Sequence, residues 1–267
     1  MKLPLKSNTL MAVLFAFALL LSGCAGQEKT IRRFGRIAIL GPDEAEEYRR
    51  KLYVALPPHV LQELSSHNIG SYSIYVKDLK EAQPCLFAYF EYTGDNFDVD
   101  MAEMMRDEAV ERWNPVAAGV LATGESSGTN EPLWIDMEQV FYFAGKTHAQ
   151  PDESKVRRYG TVIGLRAEMV ESYKLLHKYA WPEVLAAIER GNIRSYSIYL
   201  HRIEDEFYLF SYFEYTGDDF DMDMALIDND PATKAWIKFT DKGCQLPIPT
   251  RAEGEWWAEM EEVFHLD

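Results

Sequence analysis

Tyr173 and His177 stand four residues apart in the segment ESYKLLHKYAWPEV, and on a helix that spacing brings both side chains to one face. Tyr196 follows in SYSIYL and Trp236 in ATKAWIKFTD. An imidazole with an unperturbed pKa of ~6.5 both gives and takes a proton at neutral pH. Tyrosine hydroxyls orient a polyol by hydrogen bonds, and an indole face suits the apolar side of a sugar ring. The group therefore supports proton transfer on a polyhydroxylated ring; the plainer reading is a satisfied interfacial histidine among core aromatics. Two secondary candidates follow. Glu214, in LFSYFEY, can orient His177 or act as a base, or else close a cross-strand ion pair. Trp257, in EGEWWAEM, can close over a sugar or pack beneath the last strand.

Composition narrows the classes around this group. The 267 residues carry 27 Lys plus Arg against 43 Asp plus Glu, a formal charge of −16, and such a surface repels phosphate backbones, so nucleic acid is excluded as a partner. At 47% hydrophobic and 13% aromatic the chain builds real cores. Cys24, Cys85 and Cys244 are too few and too scattered for a disulfide framework or a thiolate metal site, so no metal is expected. The acidic clusters at 95–100 and 218–223 lack the glycine and terminal glutamate of a calcium loop and read as solvated, carboxylate-rich helix starts. Cys85 and Cys244 read as small buried hydrophobes, and His265, equivalent to Tyr142 in the repeat, as a packing residue.

The N-terminus has its own pattern. Lys2 and Lys6 precede an apolar run from Leu10 to Leu21, and Leu21-Ser22-Gly23-Cys24 follows at once. The run is short for a membrane span, which needs about 20 residues. Its layout is that of a secretory leader, and its end resembles a bacterial lipobox. Residues 1–23 are thus expected to be a leader peptide, Cys24 the lipidated new N-terminus and 24–33 a spacer, which places the protein in a bacterial cell envelope on the periplasmic or extracellular side.

Beyond that segment the chain repeats itself. NIGSYSIYV at 68–76 returns as NIRSYSIYL at 192–200, with seven of nine residues identical, and LFAYFEYTGDNFDVDMA at 86–102 returns at 209–225 with fourteen of seventeen identical. Trp113 maps to Trp236, Trp134 to Trp257, and MEQVFYF at 137–143 to MEEVFHL at 260–266. Two copies, 34–144 and 159–267, are joined by a polar linker at 145–158. In each, a short apolar strand leads into a helical stretch (43–66 or 167–190) that Pro57 or Pro182 kinks or breaks. Two alternating β-branched and aromatic strands, a second helical stretch and a last strand complete a ferredoxin-like β-α-β-β-α-β unit, an α+β fold with helices on one sheet face. Packing the two bare faces against each other makes the chain a monomeric pseudo-dimer.

The blocks ESYKLLHKYAWPEV, GNIRSYSIYL, LFSYFEY, ATKAWIKFTD and EGEWWAEMEEVFHLD, in that order, resemble the L-rhamnose mutarotase family over essentially all of 159–267. The resemblance implies a dimeric α+β barrel and a cofactor-free isomerase, a sugar epimerase that interconverts the α and β anomers of L-rhamnose or a related deoxyhexose. By position it makes His177 the proton donor and Tyr173 and Tyr196 sugar-holding residues. The family's Trp-Trp pair is here Trp236-Ile237, so one indole is replaced at a substrate-binding position. In the first copy Tyr48, Tyr72 and Trp113 match, but Leu52 stands where His177 does, with His59 as a remote substitute. Leucine transfers no proton, so one competent site per chain is expected. The rival expectation is a lipid-anchored sugar-binding or scaffold protein without turnover. A monooxygenase of the same fold has no motif behind it.

Overall fold

A computed structural model of the chain describes residues 30–41, 46, 58–81, 83–104, 106, 134–145 and 153–267. In the first copy β1 (Arg32–Ile39), α1 (Pro58–Ser66), β2 (Ile69–Lys80), β3 (Gln83–Tyr92), α2 (Phe97–Met104), the two-residue β4 (Ile135–Asp136) and β5 (Glu138–Phe143) follow in order. The second copy has β6 (Arg157–Leu165), α3 (Val170–Lys178), α4 (Pro182–Arg190), β7 (Ile193–Ile203), β8 (Glu206–Tyr215), α5 (Phe220–Asn229), α6 (Pro231–Cys244) and the strands β9 (Gln245–Leu246), β10 (Ala258–Glu259) and β11 (Glu261–Leu266).

The central strands are buried on both faces because each face has its own partner. In β3, Leu86, Ala88, Phe90 and Tyr92 point into a helix-side core, while Cys85, Phe87 and Tyr89 point into a second layer. That second layer also takes Tyr199, Tyr208, Phe210 and Tyr212 from β7 and β8, so it is the seam between the two sheets. Tyr89 stacks on its own equivalent, Tyr212, at 3.8 Å and 9°, as a pseudo-two-fold arrangement requires. A Cβ on Gly35 would lie 2.4 Å from the Tyr199 ring, and one on Gly160 2.4 Å from the Tyr75 ring, so glycine is what admits each ring to the seam. Full burial of such a ring contributes roughly 1.5–3 kcal/mol. The α+β class and the sheet-on-sheet packing are as the sequence predicts.

Strand pairing goes further than the sequence reading. The first sheet runs β11-β2-β3-β1-β4 and the second β10-β6-β8-β7-β5, with β9 also on β6. The last strand of each copy therefore belongs to the other copy's sheet: β11 pairs antiparallel with β2, and β5 with β7. Each copy's expected four-stranded sheet is thus completed in trans within one chain.

Two helical expectations are refined. Pro182 does not kink a long helix; α3 ends at Lys178, and Pro182 opens α4 in its first turn, where its missing N–H costs nothing. The second helical stretch is two helices, because Asp230 caps α6 by accepting from the backbone N–H groups of Ala232 and Thr233 (2.9 and 3.2 Å) while Pro231 starts it.

Candidate active site

His177 sits in the last turn of α3, and its surroundings fix both its orientation and its charge. The ring stacks on Tyr173 at 4.0 Å and meets Trp236 of α6 and Phe141 of β5 edge-on at 5.6 and 5.5 Å. Nδ1 lies 3.0 Å from the Tyr173 carbonyl oxygen. A carbonyl only accepts, so Nδ1 carries the hydrogen and Nε2 keeps its lone pair. Burial among these rings lowers the pKa to about 4, the carbonyl contact opposing only part of that shift, so the neutral imidazole prevails at neutral pH.

The imidazole opens on a cavity of about 340 Å³ bounded by α3, α4, α5, α6, β7 and β5. That is the lower end of the range for small-molecule sites, roughly 300–1,000 Å³. Tyr196, within the β-bulge between Arg194 and Ser197, faces the same space, 5.5 Å from Phe141. The walls are largely apolar, with a few polar groups among them. The Tyr173 and Thr233 hydroxyls are both buried, and among the described residues neither completes a hydrogen bond of good geometry, although Gln245 lies close to Tyr173. Leaving such a group unmet costs about 1–3 kcal/mol, which a ligand hydroxyl would return. Burial pushes both Tyr173 and Tyr196 upward in pKa, so they stay protonated donors. Asp241, one turn beyond Ile237 on α6, also lines the cavity. Burial raises its pKa to about 6; Thr240, which donates to it at 2.9 Å, and Lys242 oppose the shift, and Asp228 adds to it. The usual order is inverted, with a carboxyl that holds its proton to higher pH than does the imidazole lining the same cavity.

The family model of L-rhamnose mutarotases matches this chain twice, over 33–143 and 158–266. The chain belongs to that family. An L-rhamnose mutarotase of Listeria monocytogenes serotype 4b is 31% identical over 114 residues, all of that protein and 43% of this chain. An L-rhamnose mutarotase of Lactiplantibacillus plantarum is 27% identical over 110 residues, 98% of its length and 41% of this one. A UPF0734 protein of Dictyostelium discoideum is 33% identical over 107 residues, 80% of its length and 38% of this one. Among solved structures, an anthrone oxidase-like protein shares 10% identity over 90% of this chain and 93% of its own, at a TM-score of 0.41.

Of the residues singled out in this mutarotase-family sequence, Tyr173, His177, Tyr196, Trp236, Ile237 and Trp257 all line the one cavity. Glu214 does not. It lies buried on β8, where it accepts from Arg194 Nε at 2.5 Å and from the Tyr212 hydroxyl at 2.9 Å, so it is the cross-strand ion pair rather than a partner of His177. Asp223, expected on a solvated helix start, is buried and accepts from Asn192 and Tyr215 at 2.7 and 2.6 Å. His265 bridges Ser73 (2.8 Å) and Asp267 (2.9 Å), away from the cavity. Cys85 and Cys244 are buried and unpaired. His59 is exposed at the start of α1. Cys24, Tyr48, Leu52, Pro57 and Trp113 lie outside the described residues. Among the described residues no group of three or more His, Cys, Asp or Glu side chains could hold a metal ion, and no helix is long and apolar enough to cross a membrane.

Thr233, Asp241 and Phe141 escaped the sequence reading. Asp241 had a signal, since its place four residues after Ile237 puts both on one helical face. Phe141 had none, because it belongs to the first copy and reaches the cavity only through the exchange of β5.

Proposed function

We propose that the second copy is a cofactor-free mutarotase site for L-rhamnose or a related deoxyhexose. The observation that supports this most is the convergence on one sugar-sized cavity of a neutral imidazole, an acid-poised carboxyl and two unmet buried hydroxyls. In the ring-opening step His177 Nε2 takes the proton of the anomeric hydroxyl. The C1–O1 bond becomes a carbonyl, the bond from C1 to the ring oxygen breaks, and the ring oxygen receives the proton of Asp241. Rotation about C1–C2 and the reverse transfers close the other anomer, so protons and electrons balance over the cycle. The resemblance implies a proton-donating His177; in this reading it accepts on opening and donates on closing. Tyr173, Tyr196 and Thr233 orient ring hydroxyls, and Trp236 and Phe141 cover apolar faces of the ring.

Magnetisation-exchange NMR on equilibrated L-rhamnose tests the reading. Wild type should raise the anomer exchange rate above buffer. His177→Leu, which gives the second copy the residue of the first, should remove about 10²–10⁴-fold of that excess while sugar binding persists. Binding by wild type with exchange at the buffer rate would establish a sugar-binding protein without turnover instead. The same reading keeps the site outside the bacterial cytoplasm, tethered through lipidated Cys24. Cys24→Ser should then move the protein from the membrane to the soluble fraction, and an unchanged distribution would remove the anchor.

A further inference from the structure

Helix α6 walls a second hollow besides the sugar cavity. It encloses about 340 Å³ and is lined by Lys234, Ile237, Lys238, Asp241, Lys242 and Trp256. Ile237 and Asp241, one helical turn apart, line both spaces, so the two hollows adjoin along this stretch of α6. The two consecutive tryptophans divide in the same way, with Trp257 on the sugar cavity and Trp256 on the second hollow. The Trp256 indole is fixed there, because its Nε1–H donates to Gln245 Oε1 at 2.7 Å and Gln245 is itself a buried wall residue of the sugar cavity. The two spaces therefore share lining residues and, through Trp256 and Gln245, a hydrogen bond.

Charge sets what the second hollow takes. In a chain with 43 acidic against 27 basic side chains, Lys234, Lys238 and Lys242 recur at every fourth residue along one exposed face of α6. Lys234 Nζ meets the Asn229 amide oxygen at 2.9 Å. Lys238 and Lys242 form no ion pair with any described residue. The rim is a local reversal of the molecule's sign, with an indole face beside it.

We propose that this hollow binds the neighbouring residue of an oligosaccharide whose reducing-end ring occupies the sugar cavity. The neighbour is an acidic sugar whose carboxylate or sulfate is held by Lys238 and Lys242, with Trp256 against its apolar face. The proposal rests on the mutarotase reading of the first cavity, since only a reducing end has an anomeric hydroxyl to exchange. It extends the substrate class from a free deoxyhexose to acidic fragments that end in one. Asp241 is the carboxyl on the lining of that hollow, and burial raises its pKa to about 6.

The test measures affinity and anomer exchange on the full chain with four probes: L-rhamnose, glucosyl-rhamnose, glucuronosyl-rhamnose and a sulfated glucosyl-rhamnose of the same linkage. At low salt at least one acidic disaccharide should bind about 5-fold more tightly than the neutral one, and the gain should vanish near ~1 M salt. Which acidic arm gains identifies carboxylate or sulfate as the source. Lys238→Gln should erase most of the gain and leave L-rhamnose exchange unchanged. Equal binding of acidic and neutral disaccharides overturns the proposal, as does a Lys238→Gln variant that loses L-rhamnose exchange along with the gain. If L-rhamnose shows no catalysed exchange while the acidic gain survives, the mutarotase reading fails and the binding site stands, so the two failures are read apart.

Discussion

Asn68 and Tyr92 of the first copy donate to Asp100 at 2.8 and 2.7 Å, and Asn192 and Tyr215 of the second donate to Asp223 at 2.7 and 2.6 Å. Asn68, Ser71, Asn192 and Ser195 share a left-handed backbone (φ 64°, 47°, 57° and 50°), and each pair flanks the same bulge. Equivalent aromatics tell a different story. Tyr72 is fully buried in the first copy's helix-side core against Phe90 and Phe264, whereas Tyr196 opens on the cavity. Trp134 is packed into that same core, and Trp257 lines the cavity. The best-repeated residues are thus those that clasp helix to strand and stack the two sheets. The position on which the proposed chemistry turns, His177 against Leu52, is one where the copies part. Similarity between duplicated halves reports shared architecture and says little about which half acts.

After His177→Leu, the sharpest probe of that contrast is Asp241. Asp241→Asn should lower catalysed exchange about 10²-fold. Its effect on stability has the opposite sign. The folded pKa is raised from 3.8 to about 6, so the carboxyl costs stability as pH rises through that window. With a discount for its partial exposure the cost is about 1 kcal/mol, and the asparagine variant should melt about 2–4 °C higher at pH 7.5 but not at pH 4. His177 runs the other way. Its folded pKa is lowered from 6.5 to about 4, so it costs stability as pH falls through that range. Exchange by wild type, corrected for buffer, should then decline above pH about 6 and below about 4, two limits that belong to the pair. A profile flat through pH 8 would remove Asp241 as the acid.

Phe141→Ala tests whether the first copy furnishes part of the second copy's site. Loss of the ring should weaken L-rhamnose binding about 10-fold, a contact of ~1.4 kcal/mol, in a variant whose substitution lies outside the catalytic repeat. Unchanged affinity would reduce β5 to a structural edge. Leu52→Ala should be the mildest, leaving exchange within about 2-fold, or ~0.4 kcal/mol. A large loss of turnover would make the first copy a catalytic half.

The sequence exposed much of this because its signals are local. Alternation in SYSIY and YFEY marks β2, β3, β7 and β8, and aromatics on both faces of each strand require a partner for the sheet side away from the helices. The i, i+4 spacing of Tyr173 and His177 already brought two cavity residues together. The exchange of β5 and β11 was hidden, since VFYF and VFHL read the same whichever sheet they join and only the path of the chain decides. Glu214 stayed between two readings, of which the ion pair holds, and Asp223 was misplaced for a related reason, as their partners Arg194, Tyr212, Asn192 and Tyr215 meet them only in the folded sheet.

The exchanged strands also give the half that carries Leu52 a duty apart from proton transfer. That half contributes Glu138–Phe143 as the outer rail of its sister's sheet, and takes Glu261–Leu266 in return. Truncation of either rail should therefore damage the opposite half first, and drift in each half is bounded by its service as masonry for the other.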